Sequence, residues 1–275
     1  MEAKLQRRIQ RYGWDRAVSA YERAWKSQLE PAQNRMLALA AIRPGHRVLD
    51  VACGTGLVTF RAAEIVGSTG QVTGVDISGR MIESARQRAA EFGPSHVAFE
   101  RSSAEELPFE RATFDVALCA LGLMYVPDPA LAAAQMHRIL KPGGSAAAAV
   151  WGRRDRCGWA AIFSIVDARV QTEVCPLFFQ LGTGESLVTM LRRTGFEEIQ
   201  SERIDTVLHY NSPEEALSAA FAGGPVALAY SHFDAATRDQ VHAEYLESIS
   251  SFRNASGGYE IPGEFVATSG RKPAR

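Results

Sequence analysis

Residues 48–56 read Val-Leu-Asp-Val-Ala-Cys-Gly-Thr-Gly and decide the fold of the chain. A short apolar run ends in an acid and breaks into a turn of small residues. Apolar residues then recur at helical spacing over Leu57–Val66, and Gly67 follows at a position typical of a helix C-terminus. The pattern predicts a strand, a tight loop and a helix. Gly54 and Gly56 leave the loop backbone open to a ligand, and the free N–H groups of the helix start point into the same space.

A second acid follows about twenty residues further on. Residues 71–76 read Gln-Val-Thr-Gly-Val-Asp and predict another strand, which ends in Asp76. A carboxylate at this position can accept hydrogen bonds from both hydroxyls of a ribose. The glycine turn together with the spaced acid therefore indicates a βαβ unit that binds a nucleoside, whereas a glycine turn alone would be weak evidence.

Strands and helices continue to alternate along the chain. Ser78 is a good start for a helix, His96–Arg101 predicts a third strand, and Phe114–Leu121 is an apolar run of the kind found in a central parallel strand. Asp128 followed by proline predicts the start of a helix, and Ser145–Trp151 predicts a fifth strand. Five alternations with short connections predict the α/β class, with a doubly wound, mostly parallel sheet.

The N-terminal part predicts helices rather than strands. Residues 1–30 form one helical pattern, and Pro31 predicts the start of a second helix that ends at Ile42. The first pattern carries aromatic residues among its charges, namely Tyr12, Trp14, Tyr21 and Trp25. These helices either cap the sheet or bring an aromatic side chain over the ligand.

The part beyond Trp151 is less regular. It predicts helices over residues 184–194, 213–222 and 234–251, and extended segments over residues 196–210 and 259–269. No repeat or linker divides the chain. We therefore predict a single domain, with a helical cap (1–42), a ligand-binding core (43–151), and lid insertions with terminal strands (152–275).

The composition argues against several kinds of partner. The 275 residues are 46% hydrophobic, and 30 basic against 31 acidic residues leave a net charge of −1, which does not favour nucleic acid. We find no secretory signal at the N-terminus and no apolar run suited to a membrane span. The four cysteines lack C-x-x-C spacing, which favours reduced thiols in the cytoplasm over disulfides or a metal site. The oligomeric state stays open between a monomer and a homodimer.

Four motifs in order carry a family resemblance. They are residues 48–56, residues 74–78 (Gly-Val-Asp-Ile-Ser), residues 104–109 (Ala-Glu-Glu-Leu-Pro-Phe) and residues 140–144 (Leu-Lys-Pro-Gly-Gly). With this set, residues 10–151 resemble the class I S-adenosylmethionine-dependent methyltransferases, most of all the small-molecule branch that includes the ubiquinone and menaquinone C-methyltransferases. The resemblance implies a Rossmann-like, seven-stranded sheet, S-adenosylmethionine as cofactor and a small-molecule methyl acceptor.

The resemblance also implies roles for single residues. Asp50 would place the amino group of the methionine half of the cofactor, and Asp76 would hold the ribose hydroxyls. Met81 would pack on the adenine, and Ala120 would border the sulfonium. The remaining cofactor-binding positions that it implies are Ala52, Gly54, Thr55, Gly56, Ile77, Ser103 and Ala104.

Two positions depart from the family pattern. Ala52 stands where the first glycine of the motif is expected, and alanine is tolerable there if its backbone keeps a negative φ. Ser103 stands where many relatives carry Asp or Asn, which predicts a weaker hydrogen bond to the adenine amino group or one made by the backbone.

The predicted chemistry demands little of the protein. The sulfonium methyl group is already activated, so the protein mainly has to align a nucleophile behind it, and a base is needed only if the acceptor arrives protonated. Tyr125 and His209 are the weak candidates for such a base. Two alternatives stay open, an NAD-dependent oxidoreductase and a cofactor-binding protein without turnover. Against the first, the third glycine of G-x-G-x-x-G is missing after Gly56.

Residues 152–182 and 211–258, helped by residues 1–30, are predicted to cover the acceptor, because insertions at this edge of an open sheet lie over the ligand crevice. The aromatic residues of the region suit a planar or apolar acceptor, and they are Trp151, Trp159, Phe163, Phe178 and Phe179. Three arginines predict either an anionic acceptor or a solvated turn, and they are Arg153, Arg154 and Arg156. The thiols of Cys157 and Cys175 offer a second possibility, a soft acceptor such as a thiol-bound arsenical.

Overall fold

The computed structural model describes residues 3–171, 175 and 177–274. Within this part of the chain, seven strands form one sheet in the order β3-β2-β1-β4-β5-β7-β6, which confirms the predicted α/β fold. The strands are β1 (Arg47–Val51), β2 (Gln71–Asp76), β3 (Val97–Arg101), β4 (Phe114–Ala120), β5 (Leu140–Trp151), β6 (Glu197–Tyr210) and β7 (Tyr259–Arg271). The first five run parallel, and β7 is antiparallel to both of its neighbours.

Helices pack around this sheet. They are α1 (Ala3–Ala40), α2 (Leu57–Val66), α3 (Gly79–Phe92), α4 (Pro129–Ile139), α5 (Ala161–Asp167), α6 (Ser186–Thr194), α7 (Pro213–Leu217), α8 (Ala227–Ser231) and α9 (Ala235–Ser248). Among the described residues, no helix is long and apolar enough to cross a membrane.

The strand order places a ligand crevice beside β1. This strand pairs with β2 on one side and β4 on the other, so that Asp50 lies level with Gly74 and Leu118. The strand order reverses between β1 and β4, because β2 and β3 lie on one side of β1 and the later strands lie on the other. Crevices of open α/β sheets lie at the carboxyl ends of the strands at such a switch point. The glycine turn after β1 therefore borders the crevice.

The N-terminal region differs from the prediction of two helices. It forms one continuous helix, α1, with Pro31 inside it. Proline removes one backbone hydrogen bond and crowds the preceding turn, which disfavours it within a helix. The helix continues because apolar side chains are buried on both sides of the proline, with Trp25 and Leu29 before it and Ala32 and Met36 after it. Tertiary packing thus overrides the local signal.

Three other elements differ from the prediction by more than two residues or in the type of helix. β5 begins at Leu140 rather than Ser145, because Leu140 already pairs with Phe114 across an irregular register. The helix predicted over residues 213–222 ends in a turn of π-helix at Ser218–Ala222. The last helix ends at Ser248 rather than at residue 251.

Candidate active site

An open cavity lies at the carboxyl ends of the central strands, and its empty space of about 730 Å³ includes a part that is open to solvent. It is lined by Arg7, Gln10, Trp14, Tyr21, Ala52, Gly54, Asp76, Ile77, Met81, Ser102, Ser103, Ala104, Glu105, Ala120, Leu121, Gly122, Tyr125, Val126 and Pro127. The segments after β1, β2, β3 and β4 thus form its floor, and α1 forms its cover. We call it the strand-end cavity.

The turn after β1 has a left-handed backbone. φ is 57° at Ala52, 55° at Gly54 and 87° at Gly56, so Ala52 does not have the negative φ that would make alanine tolerable without strain. The turn is held this way by hydrogen bonds from Cys53 N–H to the Val75 carbonyl (3.0 Å) and from Gly54 N–H to Asp76 (2.9 Å). A non-glycine residue in this region of φ costs about 1–2 kcal/mol. Ala52 is therefore a strained residue on the cavity wall.

The strain at Ala52 makes Ala52→Gly an unusually mild substitution. We expect the free energy of unfolding to stay within about 1 kcal/mol of wild type, because relief of strain offsets the greater freedom of glycine in the unfolded chain. The matched control is Ala63→Gly inside α2, which should destabilise the protein by at least about 1 kcal/mol. Denaturant titration measures both values. Equal losses in the two variants would show that Ala52 carries no strain.

Asp76 presents a fixed carboxylate to the cavity. Its Oδ2 accepts a hydrogen bond from Gly54 N–H (2.9 Å), and its Oδ1 accepts one from Ser78 N–H (2.8 Å). Burial raises the pKa of Asp76 to about 6, although these two backbone N–H groups favour the ionised form. Each oxygen keeps a lone pair that can accept a further hydrogen bond. Two adjacent hydroxyl groups are the natural partners of such a carboxylate.

Asp50 is buried, with 1% of its surface exposed, and is not among the residues that line the cavity. Its Oδ2 accepts a hydrogen bond from the Thr59 hydroxyl (2.6 Å). Its Oδ1 has no hydrogen-bond partner within the described part of the chain. Burial raises the pKa of Asp50 to about 7, against the lowering effect of the Thr59 hydroxyl. Asp50 therefore titrates near neutral pH in the folded protein.

This titration predicts how stability changes with pH. Aspartate in an unfolded chain has a pKa of about 3.9, so folded Asp50 holds a proton over a window in which the unfolded chain has lost it. The contribution of Asp50 is fully present below about pH 4 and is lost as the pH rises through about 7. Asp50→Asn removes this titration. As the pH rises from about 4 to about 7, the free energy of unfolding of the variant should increase by roughly 1–4 kcal/mol relative to wild type. Unfolding measured across the pH range tests this.

Asp115→Asn supplies a control of opposite sign. Partial burial opposes the shift, but the Lys141 side chain and Arg47 N–H hold the pKa of Asp115 below its usual value. The stability that wild type gains from Asp115 is present above the unfolded pKa and is lost as the pH falls through the folded pKa. The free energy of unfolding of Asp115→Asn should therefore fall relative to wild type as the pH rises over this range. If the stability of both variants relative to wild type changed with pH in the same direction, the raised pKa of Asp50 and the lowered pKa of Asp115 would be contradicted.

The helix α1 is tied to the floor of the cavity. Asp15 Oδ1 accepts hydrogen bonds from the Ser78 hydroxyl (2.6 Å) and from Arg80 N–H (3.1 Å), at the start of α3. Further along α1, Glu22 pairs with Arg88, which also donates to the carbonyl of Thr55 (3.1 Å). These contacts place Trp14 and Tyr21 over the cavity, in line with the second of the two roles predicted for the N-terminal aromatic residues.

A second space, which we call the aromatic chamber, adjoins the strand-end cavity, and its empty space of about 390 Å³ includes a part that is open to solvent. It is lined by Trp14, Tyr21, Trp25, Leu29, Leu121, Tyr125, Trp151, Trp159, Phe178, Gly224 and Pro225. Four of these residues also line the strand-end cavity, namely Trp14, Tyr21, Leu121 and Tyr125. The rings of Trp14 and Tyr125 lie 5.1 Å apart, and those of Trp151 and Trp159 lie 4.7 Å apart. The two spaces therefore share an aromatic boundary.

Three comparisons with known proteins agree with this geometry. Residues 42–154 match a family model described as a methyltransferase domain. A demethylmenaquinone methyltransferase of Staphylococcus aureus (strain MRSA252) is 41% identical over 112 residues, which are 41% of this chain and 46% of the relative. Residues 42–154 are therefore similar to a methyltransferase domain. The aligned part spans about half the length of the curated relatives.

Solved structures support the same fold over more of the chain. The YcgJ protein of Bacillus subtilis has a TM-score of 0.64 at 19% identity, covering 89% of this chain and 99% of its own. The phosphoethanolamine N-methyltransferase 2 of Haemonchus contortus, solved with S-adenosylhomocysteine, has a TM-score of 0.61 at 19% identity, covering 94% of this chain and 57% of its own. These structures confirm the predicted Rossmann-like fold, and the match of residues 42–154 supports the predicted resemblance to the methyltransferases.

The methyltransferase domain brings together most of the residues predicted to bind the cofactor. Eight of them line the strand-end cavity, namely Ala52, Gly54, Asp76, Ile77, Met81, Ser103, Ala104 and Ala120. Asp50, Thr55 and Gly56 do not. The Thr55 hydroxyl is buried and, within the described residues, has no hydrogen-bond partner. Sequence reasoning did not assign Arg7, Gln10 or Glu105 to the site, although Glu105 lies within the motif at residues 104–109.

The two candidate bases lie in different places. Tyr125 lines both the strand-end cavity and the aromatic chamber, and burial raises its pKa well above the usual value. Its hydroxyl therefore stays protonated at neutral pH. His209 lies instead on exposed β6, where its backbone N–H and carbonyl bond to the side chain of Gln28. The structure does not bring His209 to the cavity, because the pleat turns it outward at the edge of the sheet.

The segment predicted as a lid supplies part of the wall of the aromatic chamber. Trp159 and Phe178 line the aromatic chamber, and Phe179 packs on both rings without lining it. From residues 211–258, Gly224 and Pro225 line the chamber. Residues 172–174 and 176 lie outside the described residues.

The polar and thiol groups of the lid do not reach the two spaces. Arg153 pairs with Asp155, and Arg156 pairs with Asp205 (3.1 Å), so the solvated turn is the better description of this stretch. None of the three arginines lines the cavity or the chamber as described. Burial raises the pKa of Cys157 and of Cys175 to about 12, which keeps both as unreactive thiols.

Proposed function

We propose that this protein transfers the methyl group of S-adenosylmethionine to a flat, uncharged and largely apolar small molecule. The observation that carries the proposal is the boundary shared by the strand-end cavity and the aromatic chamber. A methyl donor in the first space and an acceptor in the second would meet at Trp14, Tyr21, Leu121 and Tyr125. The match of residues 42–154 to the methyltransferase domain supports the reaction type.

The residues of the strand-end cavity fit the donor. Asp76 offers two fixed carboxylate oxygens to a ribose diol, and Ala52 and Gly54 leave the turn without bulky side chains. We propose that the other predicted cavity residues serve the same ligand, and that Asp50 acts through water or through the turn. S-adenosylmethionine supplies a methyl group activated by its sulfonium charge. The protein has to hold this group in line with the acceptor and to exclude water.

The aromatic chamber defines the acceptor. Its wall beyond the shared boundary consists of apolar side chains and the rings of Trp25, Trp151, Trp159 and Phe178. Such a wall favours a planar ring system and disfavours carboxylate or phosphate groups, which would be buried without a partner. The curated relatives are named for demethylmenaquinone, and a quinone-like ring is one candidate for this chain. The matched domain ends at residue 154, before Trp159 and Phe178, so the acceptor is not carried over with the family.

The ionisable groups described on the chamber wall are the phenols of Tyr21 and Tyr125. Burial raises both pKa values well above the usual range for tyrosine. A phenol that stays protonated does not remove a proton from the acceptor, but it can orient an acceptor oxygen or nitrogen by donating a hydrogen bond. We infer that the acceptor brings a nucleophilic atom that needs no deprotonation by these residues. Four free, buried cysteines support a reducing compartment such as the cytoplasm.

The experiment is an incubation of the protein with a small-molecule extract and S-adenosylmethionine labelled with deuterium in the methyl group. Mass spectrometry should reveal a labelled, ring-containing product that is absent with Asp76→Ala. A labelled product that is highly charged and non-aromatic would contradict the assignment of the chamber. Cofactor binding without a labelled product from any extract would favour a binding protein without turnover.

A further inference from the structure

Strand β6 forms an open edge of the sheet. It is the last strand in the sheet order, and among the described strands it pairs with β7 alone. Over residues 200–210 this pairing is regular and has no bulge. Proteins usually protect an edge with proline, lysine, a bulge or a covering element, because its unpaired N–H and C=O groups invite another strand. Residues 200–210 contain neither proline nor lysine, so this edge is able to accept a further strand.

One position of the edge is already closed by a side chain. The Gln28 carboxamide donates a hydrogen bond to the His209 carbonyl (2.5 Å) and accepts one from His209 N–H (3.1 Å), as a neighbouring strand would. In an antiparallel ladder, successive residues direct their N–H and C=O groups alternately to the paired strand and to the free side. Every second residue over 201–207 therefore directs these groups to the same side as His209. Among the described residues, none forms a hydrogen bond with them.

A groove beside β6 leaves room for a further strand. Ser27, Gln28 and Pro31 of α1 line one side of the groove, and residues 205–207 of β6 line the other. Val207 is 44% exposed, although most large apolar side chains of the chain are buried. An extended chain that adds to a sheet edge uses backbone hydrogen bonds for affinity and the neighbouring side chains for specificity. The groove therefore suits a strand rather than a compact ligand.

The occupant that fits this edge is the same stretch of a second copy. Two identical strands that pair antiparallel about a twofold axis at Ile204 place residues equally far before and after Ile204 opposite each other. Residues 201–207 have their midpoint at Ile204, so this register pairs the whole free stretch with itself. It ends at one side where Gln28 closes His209, and at the other where the register with β7 shifts between Glu197 and Gln200.

The charges favour the same register. With the axis at Ile204, Arg203 of each copy lies opposite Asp205 of the other, and opposite charges across a strand pair stabilise it. An axis at Arg203 or at Asp205 would instead place like charges opposite each other. The side chain of Asp205 is 76% exposed, which leaves it accessible to a second copy. At the axis the two Ile204 side chains would meet in a closely spaced, non-hydrogen-bonded pair.

We propose that two copies of this protein associate through residues 201–207 of β6, antiparallel and centred on Ile204, so that their sheets join into one. The interface uses the same surface of both copies. It lies on the edge strand, whereas the strand-end cavity lies at the carboxyl ends of the central strands. The inference therefore goes beyond the proposed function and does not depend on it.

Sedimentation equilibrium of the full chain measures the association. A single strand pair makes a small interface, so the series should extend from about 1 µM to about 1 mM, and wild type should pass from monomer to dimer within it. Asp205→Arg places arginines opposite each other and should raise the dissociation constant about tenfold or more. Glu244→Arg is the matched control, because it makes the same change of charge at an exposed ion pair outside β6, and its dissociation constant should stay within about twofold of wild type.

Cross-linking tests the register. In the proposed dimer, Ile204→Cys brings two thiols to a position where the Cα atoms lie about 4.5 Å apart, which allows a disulfide. Oxidised glutathione should therefore convert this variant to a covalent dimer. Thr206→Cys is the control, since its two copies would lie about 13 Å apart and should stay unlinked. The four native cysteines are buried and should not compete.

A wild-type chain that stays monomeric over the whole series would overturn the inference. A dimer that is indifferent to Asp205→Arg and is not linked by Ile204→Cys would lie on another surface, which would also overturn it. Equal cross-linking of Ile204→Cys and Thr206→Cys would contradict the register. If Ile204→Cys did not fold, Asp205→Arg decides the matter, because its side chain is exposed.

Discussion

Replacing Asp76 by alanine is expected to weaken the binding of S-adenosylhomocysteine by about 2–4 kcal/mol, or roughly 30-fold to 1000-fold. The loss is large because the two oxygens of Asp76 are fixed by Gly54 N–H and Ser78 N–H, so the carboxylate is organised before the ligand arrives. Asp76→Asn should lose less, since the amide keeps one acceptor. Isothermal titration calorimetry gives the affinity directly.

The control for Asp76 is Asp15→Asn. Asp15 braces the same loop through the Ser78 hydroxyl and Arg80 N–H, but it does not line the strand-end cavity. Its substitution loosens the loop without removing the carboxylate and should change the affinity by less than about threefold, as for a partly exposed hydrogen bond. An affinity unchanged by Asp76→Ala would show that Asp76 only caps the loop.

The second large effect is expected at Trp159. Trp159→Leu removes an aromatic wall of the chamber and should raise the KM for the acceptor by about 10–100-fold, the worth of a buried aromatic contact. The affinity for S-adenosylhomocysteine should stay within about twofold of wild type, because Trp159 does not line the strand-end cavity. A rise in KM alone is the pattern that loss of acceptor binding produces. The measurement uses the acceptor found by labelling.

Phe196→Leu separates this effect from a general loss of stability. Phe196 is also a buried aromatic residue, but it packs on His137 at a distance from both spaces. It should lower the free energy of unfolding without changing the KM for the acceptor. A weakened affinity for S-adenosylhomocysteine in Trp159→Leu, with an unchanged KM for the acceptor, would assign Trp159 to the donor site instead.

The parallel core was predictable because its signals are local. The turn at residues 52–56, the acid at Asp76 and the run Phe114–Leu121 each reveal their structure within a few residues, and the spacing between them follows from the βαβ unit. The sign of φ at Ala52 was not predictable in this way, because it depends on hydrogen bonds to Val75 and Asp76 on the next strand.

The rest of the site depends on contacts between distant parts of the chain. The local rule for Pro31 predicted a helix boundary, but the buried side chains on both sides of it extend α1 across the sheet. That extension is what brings Arg7 and Trp14 to the cavity. In the same way, the chamber combines Trp25, Trp151 and Pro225, whose separation in sequence hides their proximity.

Calorimetric titration of the purified protein with S-adenosylmethionine, S-adenosylhomocysteine and NAD tests the central claim most directly. We expect both sulfur compounds to bind at one site per chain, and no heat of binding with NAD. Binding of NAD without binding of either sulfur compound would contradict the account, because the strand-end cavity would then be a dinucleotide site.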